Sequence, residues 1–395
     1  MSDPEPPHPA DRPVRWGRSL LAFALLPAGL ALLHLAAGRP DLVEAHYTGS
    51  VFPSVRDALT TLAAVLPLPL AQVGLLLLIG LLLLRVGRAV GGLLRRRRSP
   101  GNLLACALAR ILALAGLAYA AFLLSWGLNH ARLPYADQAG LAERLPPPEG
   151  VSVTELSELG GWLVGECNRL WGAKDPGPVA LAGGERGVDP RLAAGYARLQ
   201  GEVPALVPGR PLLRRAFLSP ALSRLGISGI YSPFTGECHV NAEVAAWLLP
   251  FSAAHELAHF HGFAREDEAN FIAWQALRRT GDPGLEYAGT LAATAHLLAA
   301  LARHDRPAAE ALAARLAPGV LDDLEQNRSF WRQRRTPVVT DLAEASNDAY
   351  LRSQGQEAGL RSYGRMVNLL VAERRRSLAG EGPPTTTLPT GRPPG

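Results

Sequence analysis

Between Phe251 and Trp274 the chain reads FSAAHELAHFHGFAREDEANFIAW. Residues four apart share a helix face, so His255 and His259 would turn both imidazoles to one point. That spacing lets two histidines bind one Zn2+, with Glu256 beside them as general base toward the attacking water. Ala253, Ala254, Leu257, Ala258 and Phe260 make the same helix apolar nearly all round. Such a helix is buried, and its polar side chains then need partners. A catalytic zinc takes three protein ligands and leaves one position open, so a third side chain must come from elsewhere.

Gly262 offers the turn that brings it, because glycine ends a helix readily in a left-handed conformation. Beyond it, Glu266 and Glu268 open a second apolar-periodic stretch that runs to Leu277 and is read as a helix packed on the first. Glu266 is the choice for third ligand, with Asn270 one turn further on to orient a ligating histidine or the carboxylate. Glu268 and His261 stay open as alternatives. Tyr231, Tyr287, Tyr363 and His239 are candidate donors to the oxyanion of a tetrahedral intermediate.

Glu-x-x-Ala-Asn at 266–270 resembles the Glu-x-x-Ala-Asp element that supplies the third ligand in membrane zincins of the CAAX-prenyl-endopeptidase and HtpX type. Asn270 stands in place of Asp, and the spacer after the second histidine is shorter. Nearly the whole chain is similar to a bacterial family of three-helix membrane proteins of unknown function. The resemblance rests on GIYSPFTGE at Gly229–Glu237, HELAH at 255–259, GFAREDEAN at Gly262–Asn270 and SYGRMV at Ser362–Val367. It carries no activity with it, but it singles out Tyr363 among the tyrosines as the catalytic choice.

The elements that position these residues begin in a membrane. Apolar segments at about 18–37, 62–84 and 103–128 are each long enough to cross a hydrocarbon core of about 30 Å as a helix. Arg85, Arg88 and Arg95 to Arg98 fill the link between the second and third, whereas the 39–58 link is charge-balanced. Basic links stay in the cytoplasm, so three crossings put everything after about residue 130 outside it, at the outer face of a bacterial inner membrane. The expected organisation is a membrane anchor over 1–130, an extracytoplasmic domain over 131–379 and a disordered tail over 380–395, rich in Pro, Gly and Thr.

Within the outer domain most of the texture is helical, at 153–172, 190–200, 283–303, 307–316, 318–333, 338–354 and 360–376. Strand and turn chemistry is confined to 214–242, ahead of the motif, with His239 to Ala242 as the expected edge for an extended substrate. The fold class is therefore mainly α: a three-helix transmembrane anchor followed by a zincin-like, predominantly helical α+β metallopeptidase domain with a small β-sheet before the HExxH helix. Net charge is +5, almost wholly from arginine, since Lys174 is the only lysine. No basic and aromatic residues interleave, so the partners expected are the bilayer and a peptide or protein substrate, with no nucleic acid. Three cysteines, Cys106, Cys167 and Cys238, are too few for a disulfide framework, although Cys167 and Cys238 could pair outside the cell.

The reading is a zinc-dependent metallopeptidase that hydrolyses peptide bonds. A zinc-binding but inactive envelope scaffold and a metal-dependent amidase on cell-wall peptide are the alternatives. A periplasm-dependent reporter fused after residue 380 should be active, and a signal there from a cytoplasm-only reporter would overturn the three-span reading.

Overall fold

The computed structural model describes residues 16–94, 100–147, 150–175, 187–336 and 365–381, with 341 and 345. The Leu- and Ala-rich runs near the N-terminus can satisfy their backbone groups away from water only as helices, and they form three: Trp16–Ala37, Leu70–Leu94 and Pro100–Ser125. Each is long and apolar enough to cross a membrane. The first and third pack together, and the absence of a side chain at Gly116 lets the third lie directly on the Ala22 carbonyl of the first.

The second span starts later than residue 62. Leu66 precedes Pro67 and takes an extended conformation, with φ −97° and ψ 141°, as a residue before proline must. Two helices therefore replace one: Phe52–Val65, and a separate helix that opens at Leu70.

The Phe52–Val65 helix and the π-helical turns at Val43–Val51 ahead of it pack on the chain that follows the third span. Two buried arginines lock this joint. Arg56 donates to the carbonyls of Val207 (3.3 Å), Phe260 (3.1 Å) and Pro208, and its guanidinium lies 4.2 Å from the centre of the Phe260 ring. Arg132 donates to Gly262 O (3.0 Å) and Ala205 O (2.9 Å), pairs with Glu44 (2.6 Å) and covers the Phe263 ring. Guanidinium suits this task because it offers several fixed donors and stacks on aromatic faces.

Three strands form the sheet: β1 (Leu212–Ala216), β2 (Gly229–Tyr231) and β3 (Glu237–Asn241), in the order β1–β3–β2. β3 runs parallel to β1 and antiparallel to β2. The edge expected at His239 to Ala242 is thus the centre of the sheet, and β3 is buried throughout. β2 is the edge beside the motif instead. On one sheet face lies the motif helix, Leu248–Phe260, with the Cys238 thiol donating to Glu256 O at 3.4 Å. The opposite face carries Arg214, Glu237 and His239, which meet the start of the second span. Leu70 N and Ala71 N donate to the Glu237 carboxylate at 3.1 and 2.9 Å, and Gln72 reaches His239 Nδ1 at 3.1 Å.

Beyond the motif helix come Glu266–Leu277 and Pro283–His304, which close the core together with Val153–Ala173 and Arg365–Leu378. Pro283–His304 is apolar enough to span a bilayer, yet it is largely buried among these neighbours. Cys167 and Cys238 are both buried free thiols. The 338–354 helix, apart from 341 and 345, lies outside the described residues, as do residues 382–395 of the expected tail.

Removing Arg56 would take the side-chain donor from the buried Phe260 carbonyl, leave Val207 O to His261 alone and open a gap against the Phe260 ring. Arg56→Ala should therefore cost about 3–5 kcal/mol of stability in detergent. Chemical unfolding followed by tryptophan fluorescence measures it, and a loss below about 1 kcal/mol would contradict the role given to this joint.

Candidate metal centre

The motif helix is held where its sequence requires. Leu257 and Phe260 are buried, as are Ala253, Ala254 and Ala258, so the apolar surface of the helix is held in the core. It stops at Gly262, whose φ of 92° is left-handed. Gly262 N then donates to His259 O (2.9 Å) and Phe263 N to Ala258 O (3.1 Å), which satisfies the last carbonyls and reverses the chain. The following helix starts at Glu266, with three acidic residues in its first turn, where the helix dipole favours negative charge.

This reversal brings Glu266 to the two histidines. His255 Nε2 and His259 Nε2 are 3.1 Å apart, and the Glu266 carboxylate lies 3.2 Å from the first and 3.6 Å from the second. Among the described residues these three form a group whose ligand atoms lie within 4.8 Å of one another and could hold a metal ion. The outward ring nitrogens are engaged. His259 Nδ1 donates to Phe263 O at 2.7 Å, and His255 Nδ1 bonds to Asn270 Oδ1 at 2.9 Å. Both Nε2 lone pairs consequently face the same small space, as metal-ligating histidines do. Two imidazole nitrogens and a carboxylate are a donor set that zinc accepts, so the residues fit the ion.

Without a cation, the group leans on a proton. Burial pulls the His255 imidazole down, but the hydrogen bond and charge of Glu266 outweigh it and leave its pKa raised. Burial alone would raise Glu266, whereas the hydrogen bond from His255 and the charges of both histidines hold it well below the usual carboxylate range. For His259 burial dominates and lowers the imidazole to about 4.

Glu256 lies between this group and the sheet. Its Oε2 is buried with no hydrogen-bond partner among the described residues, and Tyr231 donates its backbone N–H to the same carboxyl. Burial pushes the carboxyl up to about 8, with His255 pulling it down and Glu266 adding to the rise. Gly229 makes room for it, since a Cβ there would collide with the carboxyl.

The other candidates are placed elsewhere. Glu268 accepts from Tyr135 N (2.8 Å) and Arg265 Nη1 (3.1 Å), away from the histidine pair. His261 bonds Val207 O at 2.8 Å and stacks on Tyr196. His239 is buried against Gln72 on the far side of the sheet, and Tyr287 OH donates to Asp323. Tyr363 lies outside the described residues.

Two residues join the site that the sequence did not announce. Trp126, directly after the third span, donates its indole N–H to His259 O at 3.2 Å and stands edge-on to the His259 ring. His130 packs edge-on against Trp126 at 5.1 Å; burial lowers its pKa to about 3, His259 and Arg265 add to the fall, and Glu266 opposes it. The only local signal is the run Trp126 to His130, which reads as the polar end of an apolar helix.

Residues 47–371 match the model of a family described as a protein of unknown function, DUF3810. The chain belongs to the DUF3810 family. The matched range of this DUF3810 chain takes in the second and third spans, the sheet, the motif helix and Glu266. Neither the curated proteins nor the solved structures contain a match to it.

If Glu266 is a ligand, Glu266→Gln should lose most zinc affinity. Glu268→Gln should keep it, because residues two apart on a helix point about 200° from each other. Asn270→Ala should weaken binding about 10- to 100-fold, as loss of a ligand's hydrogen-bond partner does. Zinc titration of the three variants decides, and retention by Glu266→Gln with loss in Glu268→Gln would reverse the assignment.

Proposed function

We propose that the chain is a membrane-anchored zinc-dependent metallopeptidase that hydrolyses peptide bonds at the outer face of the bacterial membrane. One observation carries the reading: two Nε2 lone pairs and a carboxylate converge within 3.6 Å, beside a buried Glu256 oxygen that has no partner among the described residues. Zinc held by His255, His259 and Glu266 would supply a Lewis acid with a position open to water and substrate.

The chain's own groups supply the rest. Glu256, in its ionised form, takes a proton from the attacking water and returns it to the departing amine. Asn270 and the Phe263 carbonyl fix the two imidazoles in the tautomer that leaves Nε2 free. Ser232 N donates to Glu237 O and Asn241 N to Ser228 O, so the backbone groups of Gly229 and Tyr231 point away from β3. On that outer edge the Tyr231 N–H is given to Glu256, and the Gly229 groups beside it would meet an extended substrate. Tyr363 is the proposed donor to the tetrahedral oxygen.

Glu256→Gln should abolish cleavage of a peptide library by the detergent-solubilised protein, a fall of at least about 1,000-fold, while zinc stays bound. Cleavage that survives Glu256→Gln, or a zinc-loaded wild type that cuts nothing in the library, would overturn the proposal.

A further inference from the structure

The β2 edge is joined to the membrane-spanning helices by short structural links. Antiparallel partners project side chains to the same face, so Ile230, paired with His239, points to the side opposite the motif helix. There, Glu237 caps the second span, Gln72 bonds both His239 and Leu218 N, and Arg214 donates to the carbonyls of Ala63 and Leu66. Two ends of the membrane anchor thus bracket the metal group. The second span begins on the face of the sheet opposite the motif helix, and the third ends at Trp126 on the His259 carbonyl.

Around the start of the second span lies an apolar surface that the described residues leave uncovered. Phe217 (48% exposed) precedes the Leu218 amide held by Gln72, Ile230 (46%) stands on β2, and Phe234 (53%) tips the β2–β3 turn. That turn is tied to the Phe52–Val65 helix by Thr60 donating to Gly236 O, and the helix ends in exposed Val65, Leu66 and Leu68. These six side chains continue directly into the exposed leucines of a helix long and apolar enough to cross a bilayer. Continuity with that lipid-facing surface identifies the occupant as the bilayer rather than another protein, because aromatic and aliphatic side chains at the end of a span settle in the interfacial layer.

We propose that the β2 edge and the link into the second span are seated in the lipid headgroup layer, so that the candidate active site receives polypeptides attached to the same membrane. The substrate half of this inference rests on the peptidase reading; the location of the sheet edge does not. A chain anchored in the bilayer would rise along β2 and reach Glu256 within a few residues, each advancing it about 3.3 Å. A soluble peptide would have to enter the headgroup layer first.

Two measurements test it, both on the full-length protein in vesicles of phosphatidylethanolamine and phosphatidylglycerol. For location, a fluorophore is attached at Phe234→Cys or Ile230→Cys in a Cys106→Ser background, with Glu310→Cys on the exposed Arg306–Ala313 helix as control. Lipids carrying a quencher near the headgroup should dim the first two labels at least about threefold more than the control; equal quenching overturns the inference. For substrate, palmitoylated peptides bear a randomised stretch after Gly-Ser spacers of increasing length, and mass spectrometry reads the cut position. Glu256-dependent cuts should fall within about ten residues of the anchor. Cuts that appear only beyond spacers of about fifteen residues would place the site far from the bilayer and overturn the substrate class. If no spacer gives a Glu256-dependent cut, the peptidase reading and the substrate half fall together, while quenching still decides where the sheet edge sits.

Discussion

Two imidazole nitrogens with their lone pairs turned on each other, 3.1 Å apart in a buried space, repel unless something positive lies between them. The fold maintains this unfavourable arrangement from several directions. Phe263 O and Asn270 hold the outer nitrogens, Trp126 holds the His259 carbonyl, and Glu266 brings a negative charge to the same point. A carboxylate and two imidazoles largely withdrawn from water are costly to desolvate, and a divalent cation is the group that would offset that cost for all three together. Gly262 is what makes the convergence possible, because a left-handed residue there lets the chain double back within a few positions.

Around that point the molecule is layered. The motif helix lies on one face of a three-stranded sheet, and the start of the second span lies on the other. Glu237 and Arg214, both buried, are the polar seam between sheet and span, paired at 3.0 Å. Their isolated cost of burial would be high, but the helix N-terminus supplies two amide donors to the carboxylate, and Ala63 and Leu66 supply carbonyls to the guanidinium. The seam fixes the sheet against the membrane-spanning part and so sets where the motif helix stands relative to it.

What the sequence made legible was what local geometry controls. His255, Glu256 and His259 could be read together because helical spacing alone puts them on one side, and Glu266 followed from the Gly262 turn. The helices at 153–172, 190–200 and 283–303 stood out by periodicity and by N-caps such as Asp189 before Pro190. Less legible was whatever depends on distant partners. Pro67 and Pro69 divide what reads as one apolar run at 62–84, and hydrophobicity alone outweighed them. The strand order, which makes β2 rather than His239–Ala242 the edge, follows from β1 pairing with β3 across a crossover that no local pattern reveals. Trp126 and His130 are hidden at the end of a span, where aromatic residues ordinarily mark an interface. Arg56 reads as a surface charge in a balanced link, and only its partners at Val207 and Phe260 show it to be part of the core.

That last contact has a consequence for how the chain comes into being. Arg56 is synthesised about 200 residues before the Phe260 carbonyl that receives it. Throughout that interval two further spans must be inserted and the sheet completed, while the link that will become part of the core remains unpartnered. Closing so long a loop is slow, and the half-made surface invites wrong pairings meanwhile. The first link is a place held open for a domain that does not yet exist, so domain and anchor mature as one object. A cut that separated them would leave neither half with a finished interior.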